Sequence, residues 1–198
     1  VLGIRPLLWK NGWPVAGEVF KEGTYEIESE RRGYALELAV DFVRMEYTRH
    51  RFWEKDDTPV VPLKPQTLED VIGTWPQGKI NVRISDYMFR PHQKWTITAV
   101  PDGGGYLGGP YYKIVIEGTN RALAATAGAE IVTVPEFTGA PEQLWRIDQL
   151  TDGTYRIMPK KVPGTDKELV LVSVGDSTPS LGIFDMNSDN SKWNFRDH

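Results

Sequence analysis

Three tryptophans, Trp95, Trp145 and Trp193, recur at intervals of 50 and 48 residues (145 − 95 and 193 − 145) in equivalent surroundings: HQKWTIT, EQLWRID and NSKWNFR. A near-constant period of this length marks a repeated supersecondary unit, one that buries its apolar face only against its neighbours. The openings of the units repeat as well. GTYEIES (23–29), PYYKIVIE (110–117) and GTYRIMP (153–159) place Tyr25, Tyr112 and Tyr155 at the head of an alternating strand. Second strands follow in GYALELAV (33–40), NRALAATAG (120–128) and KELVLVSVGD (167–176), and third strands in INVRIS (80–85), EIVTVP (130–135) and SLGIFDM (180–186). The tryptophan strand is the fourth.

Four short strands repeated three times, separated by turns drawn from 19 glycines and 14 prolines, predict an all-β chain and within that class a β-trefoil. A β-sandwich would need the tryptophans and tyrosines to fall in register by chance. A propeller needs more than the three units that fill the chain. The trefoil spans 21–198, with repeats at about 23–100, 110–150 and 153–198. The first repeat is too long: Tyr25 to Trp95 is 70 residues, against 33 and 38 in the others. An insertion of roughly 35 residues is therefore expected between its second and third strands, within 41–78. In it, Thr67 and Asp70 form a capping-box pattern for a short helix. The aromatics Tyr47, Phe52, Trp53 and Trp75 have three uses open to them: a sugar platform, burial on the chain's own trefoil, or docking of another domain.

Composition excludes several functions. Net charge is −4, which disfavours a general attraction to nucleic acid or anionic membrane. RMEYTRHRF (44–52) interleaves basic and aromatic residues but stands alone in an acidic chain. There is no cysteine, hence no disulfide or thiolate metal site, and His50, His92 and His198 lack metal-ligand spacing. No apolar run approaches the roughly 20 residues of a membrane span. EKDD (54–57) reads as a solvated loop, and DGGGYLGGP (102–110) lacks the Lys-Ser/Thr of a phosphate loop and reads as a flexible connector. No catalytic constellation is found, and no cofactor is expected.

The tryptophan motifs resemble the Q-x-W repeats of ricin-type β-trefoil lectins, which include carbohydrate-binding module family 13. Gln93-Lys94-Trp95 and Gln143-Leu144-Trp145 match, while Ser191-Lys192-Trp193 departs at the glutamine. A second resemblance lies in IRPLLWKNGWPVAGE (4–18), where Asn11-Gly12 is a two-residue hairpin signal flanked by Trp9 and Trp13. That string is similar to the last strand segment of the propeller in glycoside hydrolase family 43, the arabinanases and xylosidases. It implies that residues 1–20 are the tail of an upstream catalytic domain. It also implies an extracellular or periplasmic enzyme acting on arabinan, arabinoxylan or xylan. The alternative is an ordinary hairpin packing its tryptophans on the trefoil.

Sugar binding needs an aromatic to stack on, a carboxylate to accept from hydroxyls, and amides. Carried over from the ricin-type pattern, the acid falls on Glu37, Ala124 and Val170, and the aromatic on Ser85, Pro135 and Ile183. Tyr87 lies two residues on from Ser85. The amide position reads His92-Gln93, Glu142-Gln143 and Asn190-Ser191. The resemblance thus implies one site, in unit one: Glu37, Tyr87, His92 and Gln93, with Trp53 and Trp75 of the insertion beside them. The structural alternatives are a solvent-facing Glu37, glutamines that tie a turn to backbone groups, and repeat tryptophans in the core. Two functions follow: a module that binds plant polysaccharide for an attached hydrolase, or an appendage that packs on the propeller without sugar affinity.

Overall fold

A computed structural model describes residues 5, 7–17, 19–40, 67–106 and 109–197. Tyr47, Phe52, Trp53 and most of the expected insertion lie outside the described residues.

An N-terminal hairpin, β1 (Leu7–Lys10) and β2 (Trp13–Ala16), precedes three units of four strands. The first unit holds β3 (Gly23–Ser29), β4 (Ala35–Leu38), β5 (Ile80–Ser85) and β6 (Trp95–Tyr106). The second holds β7 (Gly109–Ile116), β8 (Ala122–Ala125), β9 (Ile131–Val134) and β10 (Trp145–Gln149). The third holds β11 (Tyr155–Pro159), β12 (Val170–Val174), β13 (Thr178–Gly182) and β14 (Trp193–Asp197). First and fourth strands pair in a closed ring, β3–β6–β7–β10–β11–β14 and back to β3, which leaves no open barrel edge. Second and third strands form three hairpins. These are joined by the β5–β9 pairing and by backbone bonds from Ile84 N to Ser177 O (3.0 Å) and Leu181 N to Ala129 O (2.9 Å). This is the β-trefoil expected from the repeats.

The repeated residues explain the frame. Trp95, Trp145 and Trp193 have no exposed surface, and each indole Nε1–H donates to a leucine carbonyl of its own unit's second strand. The acceptors are Leu36 (2.7 Å), Leu123 (3.0 Å) and Leu171 (2.9 Å). The three tyrosines surround Phe20 at one end of the barrel, with ring centroids 5.3, 5.5 and 5.7 Å from it for Tyr25, Tyr112 and Tyr155. Phe195 completes the cluster at 4.6 Å.

Thr67 and Asp70 do form a capping box, at the head of α1 (Leu68–Gly73). Of the stretch 102–110, expected to be a flexible connector, the described residues, 102–106 and 109–110, instead carry β6 and β7 beyond the barrel as a two-stranded ribbon, with a register shift between Val100 and Gly105. Glycine suits that ribbon because its strands approach closely. A Cβ on Gly105 would lie 2.6 Å from the carbonyl oxygen of Gly109. In the N-terminal hairpin, Asn11 and Gly12 take φ of 51° and 79°, the positive pair of a tight hairpin turn. Its tryptophans do not pack on the trefoil: Trp9 is 62% and Trp13 75% exposed.

Trp145→Phe removes the indole donor and strands the buried Leu123 carbonyl. It is expected to cost about 2–4 kcal/mol, read as a lower urea midpoint at unchanged slope. Trp13→Ala, at an exposed position, should change stability by less than about 0.5 kcal/mol.

Candidate functional site

Unit one gathers a buried polar hub that the other two units lack. Glu37 lies on β4, a strand buried at every position, directly opposite Arg83 of β5. Arg83 Nε donates to Glu37 Oε1 at 2.6 Å, and its Nη2 donates to the Val40 carbonyl at 3.1 Å. A 3-10 turn, Pro91–Gln93, brings two more groups to the same carboxylate. Gln93 Nε2 donates to Oε2 at 2.7 Å, and His92 Nε2 lies 3.3 Å from Oε2. Glu37, His92 and Gln93 are 3%, 6% and 1% exposed, whereas the Arg83 side chain is 43% exposed.

Three of the sequence-predicted residues are therefore brought together, but facing inward. Glu37 is not a solvent-facing strand residue, and its carboxylate is sealed against direct contact with a sugar hydroxyl. It orients Arg83, whose side chain is partly exposed. Gln93 is fully used. Besides bonding Glu37, its Nε2 donates to the Asp86 carbonyl (2.7 Å), and its Oε1 accepts from Met88 N (2.8 Å) and, at longer range, Arg90 N (3.4 Å). The glutamine thus clamps the loop 86–90 onto the hub.

That loop carries the exposed aromatic surface. Phe89 is 75% exposed, and its ring lies 4.8 Å from that of Tyr87 at 56°. Burial, with the nearby charges of Glu26 and Glu117, pushes the Tyr87 hydroxyl up to about 12, so it stays a protonated donor at any physiological pH. Phe89 has φ of +56°, a conformation a bulky side chain rarely adopts. The matching position of unit two, also six residues before its tryptophan, is Gly139 at +81°. A phenylalanine where glycine is suited, with its ring largely in water, is a strained placement of the kind found at ligand contacts.

Trp75 must be corrected. It was expected to offer a stacking face, but it is 5% exposed within the main apolar cluster, which is the second of the uses open to the insertion aromatics. Trp53 lies outside the described residues. The indole bonds also correct the register of unit three. Leu36, Leu123 and Leu171 are equivalent, so the counterparts of Glu37 are Ala124 and Val172, not Val170. Neither counterpart carries a charge. In unit two, Gln143 Oε1 accepts from Thr138 N (2.7 Å), and in unit three Ser191 Oγ donates to the Asp185 carbonyl (2.9 Å). Both keep the turn tie of Gln93 without a hub beneath it. Sequence reasoning missed Phe89 and Arg83; the alignment of Phe89 with Gly139 was the available signal.

Burial raises the Glu37 carboxyl, but hydrogen bonds from His92, Arg83 and Gln93 outweigh it and hold the group below its ordinary 4.5. A carboxyl that titrates lower folded than unfolded stabilises fully above about 4.5, and that contribution is lost as pH falls through the folded value. Glu37→Gln should therefore lower stability at pH 7 by about 1–3 kcal/mol. The gap from the parent should narrow below pH 4.5, as followed by urea unfolding across pH.

Comparison with known proteins agrees with this frame. A family model described as ricin-type beta-trefoil lectin domain-like matches residues 91–178. No curated protein sequence matches the chain. Among solved structures, a designed 3-fold symmetric protein, ThreeFoil, is 19% identical at a TM-score of 0.58, covering 89% of this chain and 100% of its own. A Polyporus squamosus lectin, bound to the epitope Neu5Aca2-6Galb1-4GlcNAc, is 17% identical (TM-score 0.55), over 91% of this chain and 50% of the lectin. An exo-beta-1,3-galactanase from Clostridium thermocellum is 14% identical (TM-score 0.52), over 93% of this chain. The present chain spans 32% of that galactanase. These likenesses show the β-trefoil fold.

Proposed function

We propose that the chain is a non-catalytic carbohydrate-binding module whose ligand site is the aromatic loop of unit one. Its polymer is of the arabinan, arabinoxylan or xylan class, and it serves a glycoside hydrolase to which it is attached. The observation that carries this reading is Phe89, exposed and held in a left-handed backbone by the Gln93 clamp. Its ring and that of Tyr87 supply apolar faces for a pyranose or furanose, and Arg83, aimed by Glu37, supplies donors to hydroxyls. A single shallow site of this kind binds with about 4–8 kcal/mol, millimolar to micromolar. Attachment to a catalytic domain would convert such weak binding into retention on an insoluble polymer, which is outside the cell.

The partly matched lectin family model and the likeness to a sugar-bound lectin support the binding half of the reading. The likeness to one third of a galactanase supports the attached-enzyme half. So does the hairpin at the N-terminus, where Leu7, Trp9 and Trp13 are 63%, 62% and 75% exposed. Apolar exposure of that kind suits contact with a neighbouring domain. This also keeps the appendage reading in view, and one experiment separates the two.

Calorimetry of the chain with arabino-, arabinoxylo- and xylo-oligosaccharides, alongside pull-down on the insoluble polymers, should show binding to one class. Phe89→Ala should weaken it at least tenfold with thermal stability little changed, because the ring is exposed and no core contact is lost, while the Cβ that makes the left-handed backbone costly is kept. Failure to bind any of the three would favour the appendage, and binding indifferent to Phe89→Ala would move the site elsewhere.

A further inference from the structure

A cavity of about 540 Å³ opens beside the Phe20 plug, far in sequence and lining from the Glu37 hub. Its volume falls within the roughly 300–1,000 Å³ usual for small-ligand sites. Leu8 of the N-terminal hairpin, Phe20 and Ile147 give it apolar walls, and Tyr106 on the β6–β7 ribbon overhangs it at 44% exposure.

Its polar side is made by one carboxylate shared between two guanidinium groups. Asp148 accepts from Arg146 Nε (2.8 Å) on its own strand, and from Arg156 Nη2 (2.7 Å) and Nε (3.3 Å) across the β10–β11 pair. Arg146 is stacked beneath Tyr106, its guanidinium carbon 3.4 Å from the ring centroid. The side chains are only 13% and 25% exposed for Arg146 and Arg156. Asp148 thus balances one of two half-enclosed cations, and the Nη groups of Arg146 have no protein acceptor among the described residues. Lys192 on the wall is taken up by two carboxylates, Asp152 at 2.9 Å and Asp189 at 3.5 Å, and adds no free positive charge, whereas Arg5 adds one. A positive, partly apolar recess in a chain of net charge −4 is matched by a single anionic group carried on a ring.

We infer that this cavity is a second ligand site, for a carboxylate-bearing sugar residue (a uronic acid). The guanidinium edge of Arg146 receives the carboxylate, with Arg156 adding charge beside it, and the apolar walls and Tyr106 receive the ring. That the ring is a sugar rests on the carbohydrate-binding reading above; the anion selectivity rests on the arginines alone.

The test is titration of the intact chain with digalacturonate, its dimethyl ester and acetate, read by calorimetry and by backbone amide shifts. Digalacturonate is expected to bind with shifts in 146–156, weakened at least tenfold by esterification, by Arg146→Gln and by Tyr106→Ala. Phe89→Ala should leave it unchanged. Tyr106→Ala, on the ribbon outside the barrel, keeps the test valid if Arg146→Gln unfolds. Equal binding of acid and ester, equal competition by acetate, or no binding of digalacturonate overturns the inference. Shifts confined to 86–93 and lost in Phe89→Ala would do so too, while upholding the unit-one site. Uronate binding at 146–156 with no neutral sugar bound anywhere would uphold this site and reject that one.

Discussion

The indole-to-carbonyl hydrogen bond, made three times, is the constraint on which the rest of the structure depends. Each one joins a barrel strand to the second strand of its own unit, at Leu36, Leu123 or Leu171, inside a core where an unmet carbonyl would be costly. Because the tie is internal to every unit, the loops beyond it are released from holding the frame. That is why the second and third units can replace Glu37 by Ala124 and Val172, and Gln93 by Ser191 in the third, while the fold persists.

What unit one does with that freedom is to build a buried hub beneath an exposed loop. The hub is saturated: three side chains converge on the Glu37 carboxylate, and Gln93 spends every donor and acceptor it has on Glu37 and the loop backbone. Such a network favours one geometry, since a half-satisfied version would leave a charge buried. The rigidity is transmitted to Phe89, whose left-handed backbone is held between the Gln93 bonds to Met88 N and Arg90 N. Phe89 is exposed and Tyr87 and Arg83 are partly exposed, while the buried Glu37 and Gln93 hold Arg83 and the loop in place.

Much of the frame was legible in the sequence because it rests on residue types that repeat. The tryptophan period, the tyrosines that turn out to ring Phe20, the Thr67–Asp70 cap and the Asn11–Gly12 turn each express a local physical rule. The site was legible only in part. Glu37, His92 and Gln93 could be placed together, but not their inward orientation, because burial of a carboxylate depends on Arg83 arriving across β4 and β5 from beyond a long insertion. The Val170 assignment slipped because the strand length of unit three was not fixed until the indole acceptor was known. Trp75 looked like a platform since composition cannot say which side of an insertion faces the core. The glycines of 102–110 read as slack, where at Gly105 close strand approach is the reason for one.

The most direct measurement of the central claim is amide shift mapping of the chain titrated with xylo- and arabino-oligosaccharides. Saturable shifts concentrated in residues 86–93 and at Arg83 are expected, with the mirror positions 136–143 and 184–191 silent. Shifts spread evenly over the three units, or none in 86–93 at millimolar ligand, would contradict that claim.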